Sequence, residues 1–311
     1  MQPEGRVDVI IGTQPSGQGH ETSFAQVISD LLFVPSEAVR IILGDTDVVE
    51  VGGGSHSGRS MRHAATVFSK AAVDLIDKGK EIAALVIGTA PENVSFTDGR
   101  FAARDTNRTF DFLELAQALA GSPATQLTLP EKLKDGLAVV TDNEMHDPVF
   151  PNGTAICEVE VDPDTGAMTI TRYASVDDVG RCVNPLIVHG QTHGAIAQGV
   201  GQAVSEQIYL DPDSGQPLTG SLMDYAMPRA DTLPSFAVEI AEVLSPTNPL
   251  GIKAGGEGGT TAAPAVVVSA ILDALRPLGV RDIPMPATSY AIWSAIQRAK
   301  TRHRPPQPGE E

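Results

Sequence analysis

Glycine-rich runs fall where a strand pattern gives way to a helix pattern, and this placement constrains the fold more than any other feature. VDVIIGT (7–13) alternates like a strand and runs into GTQPSGQGHET (12–22), which carries Gly12, Gly17 and Gly19. TSFAQVISDLLF (22–33) then has apolar residues at helical spacing, with Thr22 or Ser23 as the expected N-cap. VRIILGD (39–45) is a second strand, and VGGGSHSGRS (51–60) feeds a helical pattern from Met61 to Lys78. Strand, glycine loop and helix, twice in succession, predict a mixed α/β layer.

The remainder adds a different kind of unit. A turn-rich stretch from Glu92 to Asp111 contains a hairpin at Thr97-Asp98-Gly99, and a short helix follows at 113–120. After a linker at 129–131, the clearest hairpin joins AICEVEVD (155–162) to AMTITRYASVDD (167–178) through Pro163-Asp164-Thr165-Gly166. Helical patterns return at 187–206, 262–275 and 287–300, and RPPQPGEE reads as a polar tail. With 311 residues, the chain exceeds what one core usually serves. The expectation is therefore α+β: a first lobe at 1–130, a second at 131–302 and a tail at 303–311.

Charge and composition remove several function classes. Lys plus Arg number 22 against 39 Asp plus Glu, a net charge of −17, which opposes binding to nucleic acid or anionic lipid. No continuous apolar run approaches the roughly 18–20 residues of a membrane span, and MQPEGRVDVIIGT does not read as a secretory leader. The two cysteines, Cys157 and Cys182, are far apart and outside any CxxC spacing, so no protein-ligated metal site is expected. Two reduced thiols and no leader predict a cytoplasmic location. A strand so near the start, leading straight into a functional loop, predicts that a partner region completes the site.

Four segments carry candidate chemistry. In residues 12–22, backbone N–H groups just ahead of a helix can face an oxyanion; the plainer reading is a turn. In 52–60, three consecutive glycines imply close backbone approach, Ser55, Ser57 and Ser60 offer hydroxyls, and Arg59 offers a planar fork; the plainer reading is a surface loop. In 189–202, Gly190, Gly194, Gly199 and Gly201 suit close helix packing or a flat ligand, with Gln191, Gln198 and Gln202 as amide partners. His189 and His193 stand at i, i+4, but no glutamate completes a metalloprotease pattern. In 248–265, Glu257 sits between paired glycines ahead of an apolar helix, as an exposed general base or as a helix-capping carboxylate.

Jointly, GTQPSGQGHET, LGDTDVVEVGGGSHSGRS, PNGTAICEVEVDPDTG, VDDVGRCVNPLIVHGQTHGAIAQGVGQ, GSLMDYAMPRA and SPTNPLGIKAGGEGGT form an ordered series over nearly the whole chain. It resembles the C-terminal molybdopterin-binding domain of the xanthine dehydrogenase, aldehyde oxidase and aerobic carbon monoxide dehydrogenase family. The resemblance implies two mixed α/β lobes with the molybdenum cofactor between them. It implies that Ser16, Gly17 and Gln18 contact the pterin. His56, Ser57, Gly58, Arg59 and Ser60 would wrap the phosphate-bearing tail, Gln191 would hydrogen-bond the pterin, and Glu257 would be the catalytic base.

The resemblance further implies a molybdenum hydroxylase that oxidises an aldehyde, an N-heterocycle or carbon monoxide. Its oxygen would come from water, and its electrons would leave through Fe-S clusters to FAD on partner subunits. The cofactor is molybdenum-molybdopterin, in mononucleotide or cytosine dinucleotide form, with the metal held by cofactor sulfurs and by no protein side chain. The partners would be the N-terminal half of the molybdenum subunit, an Fe-S subunit and a FAD subunit. That N-terminal region and its substrate-facing Arg- and Gly-rich loop have no counterpart in this sequence. The alternative is a non-catalytic or truncated molybdopterin-binding module; a plain nucleotide-binding α/β domain is a third reading.

Overall fold

The structure, a computed structural model, describes residues 1–104, 106–122 and 129–302, so the expected tail at 303–311 lies outside the described residues. The chain forms two compact units. The first is Met1–Phe150 with Gly180–Asn184 and Val243–Ala254; the second is Pro151–Val179, Pro185–Glu242 and Gly255 onward. This division differs from the expected lobes 1–130 and 131–302. Residues 131–150 stay with the first unit, whose core takes in Leu133 and Leu137, and two later segments return to it.

In the first unit, β1 (Val7–Ile11) and β2 (Val39–Leu43) pair in parallel, from Val7↔Val39 to Ile11↔Leu43. Between them runs α1 (His20–Leu32), and β2 leads through the triple glycine into α2 (Arg59–Ile87). Helix α1 starts at His20, ahead of the expected hydroxyl cap, with Gly19 at φ 68 as N-cap. The early start buries His20, which stacks on Phe24 at 4.6 Å. Helix α2 continues past Lys78 to Ile87, through a glycine that reads as a stop. Gly79 is there to admit Phe101, whose ring occupies the space a Cβ would take.

A second sheet, β3 (Val94–Thr97), β4 (Arg100–Ala103) and β5 (Thr109–Phe110), is antiparallel. Its first turn has Asp98 and Gly99 at φ 50 and 79, the paired left-handed residues of a tight hairpin. Helix α3 (Phe112–Gly121) opens with a reciprocal Asp111–Glu114 capping box. Phe24, Ile82, Phe101, Phe112 and Leu115 are fully buried, each such side chain contributing about 1.5–3 kcal/mol.

In the second unit, β6 (Asn152–Val161) and β7 (Met168–Asp178) form the expected hairpin, with a bulge at Glu158/Val159. Strand β8 (Phe236–Ala241), not anticipated from the sequence, pairs in parallel with β7. Helices α4 (Pro185–Val204) and α5 (Gly258–Leu275) pack together against the hairpin, with α6 (Ser289–Arg302) completing a core of Ile196, Val267, Ile271, Leu275, Ile292 and Ile296. Gly199 makes the α4–α5 approach, because a Cβ there would stand 2.7 Å from the Ala263 Cβ and 3.1 Å from Pro264 Cδ.

One helical stretch, Gly258–Leu278, is long and apolar enough to cross a membrane, with a mean hydropathy of 1.4. It qualifies by length and average composition, which the search for a continuous apolar run passes over. Here Ala263, Val267, Ile271 and Leu275 form its buried row. It begins at Gly258, four residues before the expected Ala262.

Candidate functional site

The two N-terminal glycine loops meet in the first unit. Gly12, at the end of β1, lies so close to Gly52 that a Cβ on either would overlap the other's backbone. Hydroxyl and amide groups lace the loops together. Thr13 Oγ1 and Ser60 Oγ share a 2.6 Å hydrogen bond, Ser60 Oγ donates to Ser55 Oγ at 3.0 Å, and Gln18 Nε2 donates to Ser55 Oγ at 3.2 Å. Ser16 N donates to Gln18 Oε1 at 2.5 Å. Ser16, Gln18 and the 55–60 segment are therefore one hydrogen-bonded cluster.

Both helices that leave this cluster lack a side-chain cap. Gly19 and Gly58, at φ 68 and 63, are the N-caps of α1 and α2, so neither helix has a capping side chain at its N-cap position. Such a terminus leaves N–H donors and a positive dipole end for an anion. Gly17, at φ 109, has open space where a side chain would be. Gly58 is pressed against Ala254, leaving no room for a side chain. Arg59 turns part of its fork inward: Nη1 donates to Gly54 O at 2.6 Å and to Gly52 O at 3.2 Å, so the guanidinium braces the loop that it follows. His56 is exposed, with Nδ1 3.2 Å from Ser57 Oγ.

The other two candidates belong to the second unit. Gln191 is half-buried on α4, and Gly190 and Gly194 beside it have nothing within 4 Å of a would-be Cβ. Glu257 is the N-cap residue of α5, held in helix-like backbone at φ −109, and its side chain makes no capping bond. Its carbonyl accepts from Thr261 N at 3.0 Å and Thr261 Oγ1 at 2.9 Å. The helix it opens is fixed to α4 through Thr260 Oγ1, which donates to Ala195 O at 3.0 Å, and through Gly259 against Ile196 N.

Two residues that position these groups escaped sequence reasoning. Buried Thr13 has no motif that marks it as the link to Ser60. Asp177, on β7, carries its Oδ1 3.3 Å from where a Gly258 Cβ would be and 2.8 Å from a Gly153 Cβ, while Ser175 Oγ donates to Oδ2 at 3.1 Å. Burial raises the Asp177 pKa, with the Ser175 hydrogen bond opposing. Alternation places Ser175 and Asp177 on one face of β7, the only signal available.

His193, His63 and Cys157 are partly enclosed by their neighbours. His193 meets Phe236 edge-on at 5.6 Å. Burial, then Arg59 and Arg62, lowers the His63 pKa. Burial, then Glu158, pushes the Cys157 thiol up to about 11. A cavity of about 360 Å³ beside the loops is walled by Gly12, Gly44, Asp45, Glu50 and Gly52. Its two carboxylates would repel an anion, so the uncapped helix ends are the better seat for one.

In the first unit, glycine-capped helix starts and interlocked glycine loops offer backbone N–H groups suited to an anion, and in the second unit a glutamate stands at a helix start. The chain belongs to the family of molybdopterin cofactor-binding domains, which it matches over residues 1–234. It is 36% identical to the 6-hydroxypseudooxynicotine dehydrogenase complex subunit gamma of Paenarthrobacter nicotinovorans, over 94% of this chain and 36% of that one. Among solved structures, quinoline 2-oxidoreductase from Pseudomonas putida 86 superposes with TM-score 0.81 at 34% identity, covering 98% of this chain and 38% of that one. Reconstituted CO dehydrogenase from Oligotropha carboxidovorans does so with TM-score 0.83 at 30% identity, covering 97% and 37%. The chain thus spans little more than a third of the length of the relatives it matches. The residues present fit such a cofactor: two uncapped helix starts suit its phosphate, and open space at Gly17 admits a ligand to the backbone.

Proposed function

We propose that this chain is the cofactor-binding, base-bearing portion of a molybdenum hydroxylase. Ser16, Gly17 and Gln18 hold the pterin, Gln191 hydrogen-bonds it, and His56, Ser57, Gly58, Arg59 and Ser60 bind its phosphate tail, in a mononucleotide or cytosine dinucleotide form. When bound, molybdopterin supplies a molybdenum centre that takes two electrons from the substrate as water-derived oxygen is added. Arg59 keeps the 52–54 backbone in place through its carbonyl contacts, so N–H donors of the loop stay directed at the phosphate. Glu257, at a helix start flanked by glycines, accepts the proton of the oxygen nucleophile on its carboxylate.

The substrate is an aldehyde, an N-heterocycle or CO. Its identity rests with polypeptide that corresponds to the remainder of the relatives' length, and Fe-S and FAD subunits complete the electron path in the cytoplasm. The observation supporting this reading is the pair of glycine-capped, side-chain-uncapped helix starts tied together by Thr13, Ser55, Ser60 and Gln18. The test is Glu257→Gln in the complete enzyme. Pterin and molybdenum content stay at wild-type level while turnover falls by about 10²–10⁴-fold. Near-normal turnover would remove Glu257 from the mechanism, and wild-type protein without pterin would overturn the cofactor assignment.

A further inference from the structure

In the second unit, the end of β7 carries a carboxylate that the apolar core does not use. Asp177 is half-buried, and its Oδ1 lies between two glycines. That oxygen is 2.8 Å from where a Cβ of Gly153, its partner in the β6–β7 register, would be. It is 3.3 Å from where a Cβ of Gly258, the first residue of α5, would be. Ser175, buried on the same face of β7, donates from Oγ to Oδ2 at 3.1 Å. One carboxylate oxygen is thus anchored to its own strand, and the other rests against the start of a helix.

The turn beside it needs such a support. Glu257 stands within Gly255-Gly256-Glu257-Gly258-Gly259, and four flanking glycines give the backbone a freedom that contacts from outside must remove. On the α4 side, Thr260 Oγ1 donates to Ala195 O at 3.0 Å, and Gly259 lies against Ile196 N. At the other end, Val179 Cγ1 comes within 3.2 Å of a would-be Gly255 Cβ, while Gly256 has nothing within 4 Å. Asp177 bears on Gly258, between these two supports and next to the glutamate itself.

We propose that Asp177, held by Ser175, is a positioning residue for Glu257. Its carboxylate bears on Gly258, fixes the glycine-rich turn at 255–258, and so sets the direction in which the Glu257 side chain leaves the backbone. The position of the base is then set from β7 as well as from α4, although neither strand nor helix contains it. The proposal rests on the reading of Glu257 as the base, and it assigns to the Ser175–Asp177 pair the task of holding that base in line.

The test compares Asp177→Ala, Asp177→Asn and Ser175→Ala in the complete enzyme, with Glu257→Gln alongside. Hydrogen exchange of the peptide spanning 255–261 is followed by mass spectrometry. Values of kcat and KM are measured per bound molybdenum, with quinoline, benzaldehyde and CO as probes of the three substrate classes. Asp177→Ala should speed exchange of that peptide about tenfold and lower kcat about tenfold, with KM changed by less than about twofold. Asp177→Asn keeps the shape and the Ser175 contact, so it should restore both. Ser175→Ala, the milder variant should Asp177→Ala fail to fold, should change exchange and kcat by about threefold. Wild-type exchange in both Asp177→Ala and Ser175→Ala, or faster exchange with full kcat per molybdenum, would overturn the proposal. Full turnover in Glu257→Gln would sink the base reading alone, because exchange reports the hold on the turn without any substrate.

Discussion

Glycine serves two opposite purposes, and each unit holds both kinds: Gly17 is open in the first, and Gly199 and Gly259 are packed in the second. In the first, Gly12, Gly52 and Gly58 are small because protein lies against them: each would drive a Cβ into backbone or into Ala254. In the second, Gly190, Gly194 and Gly256 have empty space around the missing side chain. The first group is required by the fold itself, the second by nothing within the chain. A glycine with no internal reason to be small is the better marker of a ligand surface.

That contrast breaks most readily at Gly52→Ala. Its Cβ would overlap Gly12 backbone, so the first unit should lose about 3 kcal/mol or more, seen as a large drop in melting temperature. An unchanged melting temperature would show that the loops can part without cost. Gly190→Ala and Gly194→Ala should do the reverse. Each adds helix propensity in open space on α4, so stability rises by about 0.5–1 kcal/mol while pterin retention falls. A rise in stability with full pterin content would place the ligand elsewhere.

The smallest effect concerns Asp177. Its folded pKa is raised by burial, so the folded state binds more protons than the unfolded chain between the ordinary aspartate value and the raised one. The stability contributed by the protonated form is full below the ordinary pKa and is lost as pH rises through the raised one. Asp177→Asn mimics the protonated acid, so its melting temperature should match wild type in acid and exceed it slightly at neutral pH. A variant less stable at neutral pH would mean that the carboxylate's charge helps to hold the α5 terminus.

The strands, helices and principal hairpins were largely legible from hydrophobic period and turn chemistry, because β1, α1 and the β6–β7 hairpin are local objects. Local signals failed where a distant residue decided the outcome. Gly79 reads as a helix end until Phe101 fills its place, and Ser23 reads as a cap until buried His20 pulls the start of α1 forward. Strand β8 alternates like any short edge segment, and only its pairing with β7 distinguishes it. The candidate site was legible as glycine loops and a lone glutamate. The bracing role of Arg59 and the Thr13–Ser60 bond were hidden, since each joins atoms whose approach depends on the Gly12–Gly52 contact.

By itself, then, the sequence determined the order of most elements, the family and the positions of the candidate loops. Backbone chemistry needs only glycines, hydroxyls and a carboxylate at set spacing. Tertiary structure decided which glycines are packed and which are open, and where the units divide. It also decided which apolar residues remain outside. Those outcomes depend on which surfaces exclude one another in space, and residue spacing along the chain carries no record of that.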